Sequence, residues 1–273
     1  MAGAARGPDG PPTVEAPRLP ALTPTTLAGR EVQGKGLLVV GGDGTRDMDE
    51  QDDVTTFMAL PAPEAADGAP FDRCLADVVQ VLGLDAVRQP GTDDGLWGHR
   101  VRQALREACE RDTAFPEESF EVLLRAAVYD ANPSFNRWFV EAALNAFGRG
   151  RVRSRLIGYL QAGTGAERAG AARAWYWTAL SLDHPRLRAV SPAGDRQEPD
   201  DDAVGVREWH EAALREFVAN EDPDVRRCIL PGLPLRPSAF PAELHPLVEE
   251  AVAIARSHPD EYLRHRVEHQ VRG

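Results

Sequence analysis

From Phe71 onward, apolar side chains recur at intervals of three and four residues, and this period constrains the fold more than any other feature of the chain. In Phe120–Val128, positions 120, 123, 124, 127 and 128 fall on one helical face, and in Phe139–Phe147 the set 139, 140, 143, 144 and 147 does the same. Similar stretches run at about 72–84, 97–111, 150–161, 166–181, 205–219, 224–232, 242–256 and 260–270, with Gly or Pro at nearly every boundary. No run of alternating apolar and polar residues follows residue 70. Residues 71–273 are therefore expected to form an all-α domain.

Residues 1–70 have a different texture. They hold nine of the 22 prolines, ten of the 24 glycines and a single aromatic, Phe57. Such a segment buries little apolar area against the entropy of ordering it, so a flexible N-terminal segment is expected. Gly36–Val40 and Val54–Leu60 have strand-like composition and would make a hairpin, an element that is marginal when isolated. A second polar stretch, 183–203, is rich in Pro and Asp and reads as an acidic loop inserted into the helical domain, with five acids in Asp195–Asp202.

Composition narrows the function classes. Of 273 residues, 31 are basic and 43 acidic, which gives a net charge of −12 and argues against a dedicated nucleic-acid binder. Three cysteines, Cys74, Cys109 and Cys228, cannot build a disulfide framework and point to a reducing compartment. No basic-then-apolar leader and no apolar run of membrane-spanning length appears, so a cytoplasmic location is expected.

Several helical stretches open with a related phrase: a turn with Pro or Gly, nearby acids, then Arg and an apolar run. These are Asp130-Ala131-Asn132-Pro133 leading to Arg137, Gly163-Thr164-Gly165 leading to Arg168, Asp222-Pro223-Asp224-Val225-Arg226-Arg227, and His258-Pro259-Asp260 leading to Arg264. The arginines lie 31, 58 and 38 residues apart, and removing the polar insertion returns the long interval to about 38. Each interval holds two helical stretches, the pattern of a helix-pair solenoid.

Asp222-Pro223-Asp224-Val225-Arg226-Arg227 resembles the turn into the second helix of HEAT-like repeats. The resemblance covers about 117–270 and implies an α-α superhelix of about five helix pairs, with 71–112 as an atypical capping pair. It also implies an Asp–Arg ladder between repeats and second helices that line a concave binding surface.

Three patterns suggest chemistry. Gly41-Gly42-Asp43-Gly44-Thr45 after an apolar stretch resembles the motif of NAD kinases and diacylglycerol kinases, where glycines bring backbone amides to a phosphate. Here the next eight residues carry five acids, which would repel a phosphate, and the chain turns helical instead of continuing as α/β; the motif reads as a turn. His265-Arg266-Val267-Glu268-His269 matches the His-x-x-Glu-His of inverted zincins, but the sequence given ends four residues later without a third ligand. A solvated last helix explains it. Among enzymes on HEAT-like scaffolds, deoxyhypusine hydroxylases need several His-Glu pairs, and only His210-Glu211 is present. HEAT-like DNA glycosylases need a basic groove, and no residue identifies a phycobilin lyase. Cys109 and Cys228 sit among apolar neighbours and read as inert thiols. No cofactor and no metal site is assigned.

Two clusters suit a binding surface. Arg149, Arg151, Arg153 and Arg155 form two rows on a helix, 149/153 and 151/155, which either receive an anionic peptide or neutralise neighbouring acids. In Arg173-Ala174-Trp175-Tyr176-Trp177, three consecutive aromatics cannot share one helical stripe, so at least one should be exposed or lie between repeats. The reading is a non-enzymatic scaffold for a protein or peptide partner, with Arg137, Trp138, Arg149, Arg153, Arg168, Trp175, Arg226, Arg227 and Arg264 as candidate contacts. The rival class is an enzyme that uses the Gly-Gly-Asp-Gly segment or the C-terminal histidines.

Overall fold

A computed structural model of the protein describes residues 58–61, 69–84, 96–111, 115–180 and 199–272, all within the unit Thr55–Gly273. Ten α-helices and no strand occur among the described residues. They are α1 (Ala69–Val81), α2 (Trp97–Arg111), α3 (Ser119–Tyr129), α4 (Arg137–Phe147), α5 (Arg149–Ala162), α6 (Gly165–Leu180), α7 (Pro199–Ala219), α8 (Pro223–Ile229), α9 (His245–Ser257) and α10 (Glu261–Arg272). The domain is all-α. The Gly41–Thr45 motif, the stretch 36–40, residues 54–57 and residues 183–198 lie outside the described residues, and Met58–Leu60 carry no strand.

Local chemistry sets the helix ends. Asp222 caps α8, its carboxylate accepting the Asp224 amide at 2.9 Å with Pro223 at the first position. Thr164 and Glu167 form a reciprocal capping box on α6. The Thr164 amide donates to Glu167 Oε2 at 2.8 Å, and the Glu167 amide to Thr164 Oγ1 at 3.4 Å. A single residue, Gly148 with φ of 80°, separates α4 from α5. Among the boundaries that differ from the sequence expectation, two have a local cause. Helix α8 stops at Ile229 and tightens into a 3-10 turn, Leu230–Gly232, because Pro231 has no amide to donate. Helix α7 starts at Pro199 rather than near 205, since Pro followed by Asp200-Asp201-Asp202 suits a helix start better than a loop.

Packing follows an alternate-neighbour rule. Helix α1 packs on α3, α2 on α4, α4 on α6, α5 on α7, α6 on α8, α7 on α9, and α8 on α10. Helices α3 and α5 meet through side chains: Arg155 donates to both carboxylate oxygens of Glu121 at 2.9 and 2.7 Å, and the Tyr159 hydroxyl to Glu121 Oε1 at 2.5 Å. Consecutive helices also touch, among them α3 on α4, α5 on α6 and α9 on α10. Odd and even helices thus form two rows.

Helix α6 lies at the centre, against α3, α4, α5 and α8. Ala169, Ala171, Ala172, Ala174, Trp175 and Thr178 are buried, so its surroundings are apolar on nearly every side. At Gly170 the helix comes so close to α3 that an added Cβ would lie 2.0 Å from the carbonyl oxygen of Val128. The core continues through Leu123, Leu124, Phe139, Leu156, Leu160, Leu214, Phe217 and Leu263, all fully buried. At about 25 cal/mol per Å² of apolar surface, truncating any one of them to Ala is expected to cost about 2–5 kcal/mol.

Candidate functional site

Arginine–carboxylate pairs recur between neighbouring elements, at hydrogen-bond distance for Arg102 and Arg227 and at ion-pair distance only for Arg173. Arg102 on α2 bonds Asp130, the residue that caps the end of α3, at 2.5 Å, with its guanidinium over the rings of Phe71, Phe135 and Phe139. Arg173 on α6 lies 3.8 Å from Asp224 on α8. Arg227 on α8 donates to Asp260, just ahead of α10, at 2.9 and 2.5 Å. Burial pushes the Asp130 carboxyl above its usual range despite Arg102. At Asp260 burial also raises the pKa, but the bonds from Arg227 outweigh it and hold the carboxyl below its usual range.

The candidate contact residues fall on both sides of the fold. Arg153 is turned inward, with Nε donating to Thr178 Oγ1 at 3.2 Å and the guanidinium over Trp175. Arg151 and Arg155, the other row, face Glu117 in the turn ahead of α3 and Glu121 on α3. Arg149 is half-buried at the first position of α5. Arg168 donates to Glu216 Oε1 at 2.7 Å and ties α6 to α7. Arg226 caps the end of α7 through the carbonyl of Phe217 at 3.1 Å, and Arg264 binds the carbonyls of His258 and Pro259 at 2.6 and 2.7 Å. Arg137 lies 3.1 Å from Glu141 and over the rings of Trp138 and Trp177, while Arg106 covers Trp138 at 5.7 Å.

The three aromatics of α6 diverge as helical geometry requires. Trp175 is buried and stacks on Trp209 of α7, with ring centroids 4.1 Å apart and planes 4° from parallel. Tyr176 is exposed. Trp177 is half-buried, and its indole N–H points to the Pro133 carbonyl and Asn136 Oδ1 at 2.9 and 2.8 Å.

Tyr176 and Trp177 open onto a groove of about 410 Å³ between α6, α8 and α10, within the size range of ligand pockets. Arg173, Trp209, Cys228, Tyr262 and Arg266 contribute to its walls. Met58 and Leu60 of the chain's own N-terminal segment line it as well and pack on the core. Sequence reasoning picked out the aromatic cluster and α8 but not the groove, whose walls come from segments between residues 58 and 266 without a local pattern.

Two other features lie apart from the groove. A depression of about 520 Å³ runs along α7, where Arg207, Glu208, Glu211, Arg215 and Glu216 mix signs. Arg215 pairs with Glu211 and Glu216 with Arg168, so much of that charge is spent internally. On α10, His265 and His269 face each other with Nε2 atoms 3.2 Å apart. No group of three or more His, Cys, Asp or Glu side chains suited to a metal occurs among the described residues, whereas catalytic zinc takes three protein ligands. His210 is half-buried, which lowers its pKa. Burial pushes the thiols of Cys109 and Cys228 up to about 11 and raises that of Cys74. No described helix is long and apolar enough to cross a membrane. Compared with protein-family models, curated proteins and solved structures, the chain finds no match.

Proposed function

We propose that the chain is a non-enzymatic HEAT-like α-solenoid that binds an extended protein segment along its even helices. The two rows of helices, the alternate-neighbour packing and the Arg227–Asp260 link between α8 and α10 support the solenoid reading. One observation carries the binding reading: the open groove between α6, α8 and α10 is walled by aromatic rings and two arginines, with Met58 and Leu60 of a segment without regular secondary structure along its edge. A groove walled by Trp177, Trp209, Tyr262, Arg173 and Arg266 has the composition of a peptide-binding site, since aromatic and Arg anchors dominate such interfaces.

The test uses the full chain. Met58→Ser with Leu60→Ser loosens the tethered segment from the groove wall, and a synthetic peptide of residues 54–61 is titrated while Trp emission is followed. The substituted chain should bind the peptide at least about tenfold more tightly than the unsubstituted chain, in which the tethered segment competes at high effective concentration. Equal affinities for the two chains would overturn the reading.

A further inference from the structure

The groove is lopsided in charge. Arg173 and Arg266 line it, and none of its described lining residues is an Asp or Glu. Resting on the peptide-binding reading, we propose that the groove takes a partner segment in which a carboxylate lies beside apolar side chains. The carboxylate is received by Arg173 and Arg266, and the apolar side chains lie on the walls that Met58 and Leu60 share.

Arg173 is the core of this inference. Its side chain is only 7% exposed, so its charge is largely removed from water. A guanidinium has five donors, yet Nε of Arg173 is buried without a hydrogen-bond partner. Nη1 donates to Cys228 Sγ at 3.3 Å, and a thiol is a weak acceptor. The nearest recorded carboxylate, Asp224, stands at 3.8 Å, beyond hydrogen-bond reach. Arg266 on α10 is half-buried and likewise has a buried Nε without a hydrogen-bond partner. Two under-satisfied guanidiniums on one apolar groove make a receptor for an anion, and a carboxylate matches their planar donor pairs. Met58 and Leu60 add a thioether and an isobutyl group to the apolar walls, beside the cationic part formed by Arg173 and Arg266.

The sequence supplies a probe. Asp47–Asp53 carries five acids and runs into Val54–Leu60, so a peptide of residues 47–61 has the acidic-then-apolar chemistry required. Non-specific attraction would not favour it, because the chain's net charge of −12 repels an acidic peptide.

Calorimetric titration of the full chain carrying Met58→Ser and Leu60→Ser tests the proposal. The ligands are the peptide 47–61 and a version with every Asp replaced by Asn and Glu by Gln. The acidic peptide should bind about tenfold more tightly than the amide version. Adding Arg266→Met, which keeps an apolar stem, should reduce that ratio to about twofold or less while leaving amide-peptide affinity unchanged, which also shows the groove intact. Equal binding of the two peptides overturns the anion proposal and leaves the groove reading standing. A ratio that persists in Arg266→Met overturns the assignment to these arginines. Binding of neither peptide overturns the proposal together with the reading on which it rests.

Discussion

One carboxylate, that of Asp260, both starts α10 and fastens it to α8. Its Oδ2 receives Nε and Nη2 of Arg227 at 2.9 and 2.5 Å, and its Oδ1 receives the Leu263 amide at 3.0 Å. His258 Nδ1 in turn accepts the Asp260 amide at 3.0 Å and holds the turn in place. The side chains of Arg227 and Asp260 are 10% and 12% exposed, so the pair is largely sheltered from water.

Removing one partner from such a pair leaves an uncompensated buried charge. Arg227→Ala should lower the unfolding free energy by about 3 kcal/mol. Arg264→Ala, which loses only bonds to two carbonyls at an exposed turn, should cost less than about 1 kcal/mol. Urea denaturation of both variants measures the difference, and equal losses would mean that Arg227 does not bind the helices together.

Acid should act on this pair with a defined sign. The folded pKa of Asp260 lies below its ordinary 3.8, so its contribution is complete above that value and is lost as pH falls through the lowered one. The folded pKa of Asp130 lies above 3.8, so its contribution has the opposite slope: it improves as pH falls through the raised value toward the ordinary one. Asp260→Asn should therefore flatten the decline of stability below pH 3.8, and Asp130→Asn should steepen the decline above it. Thermal unfolding between pH 2 and 7 reads both slopes, and parallel profiles for the two variants would exclude these roles.

The helices were legible in the sequence because their periodicity is local. Helix α2 occupies the expected 97–111, and α5 differs from the expected 150–161 by one residue at each end. The split of the arginine cluster was also legible in part: helical rows separate 149/153 from 151/155, and Arg153 turns inward while Arg151 and Arg155 meet Glu117 and Glu121 at the start of α3. Which row faces the core depends on α6, and no feature of 149–155 encodes that. The Arg102–Asp130 bond joins residues 28 apart on different elements, and the Trp175–Trp209 stack joins residues on either side of a polar insertion. Such pairings arise from tertiary packing and leave no periodic trace. The groove is the extreme case, since it exists only once α6, α8 and α10 lie side by side.

At Gly170 the packing tolerates no side chain. A Cβ there would approach the Val128 carbonyl oxygen to 2.0 Å and the Val128 Cγ1 to 2.9 Å, and backbone cannot yield as a flexible side chain does. Helix propensity favours Ala over Gly by about 1 kcal/mol, so the sign of Gly170→Ala separates packing from propensity. The variant should be destabilised by at least about 2 kcal/mol because α6 must shift off α3. Gly205→Ala, at a helical position with open space around it, should instead be neutral or stabilising. Denaturant midpoints for the two substitutions provide the comparison.

The cysteines report on the groove without any ligand. Cys109 and Cys228 have thiol pKa values of about 11, so at pH 8 about one thiol in a thousand is ionised, against about one in ten for a thiol at its ordinary 9.0. Native labelling by a disulfide reagent should be slow at all three sites, with half-buried Cys109 reacting before buried Cys74 and Cys228. Cys228 differs from Cys74 in lining the groove that Met58 and Leu60 share. Met58→Ser with Leu60→Ser should therefore raise the labelling rate at Cys228 by about threefold or more while leaving Cys74 unchanged, because local uncovering rather than global unfolding exposes the thiol. Mass spectrometry of labelled peptides resolves the sites. A parallel rise at Cys74 and Cys228 would trace the effect to lost stability, and no rise at either would mean that the 58–61 segment does not cover the groove.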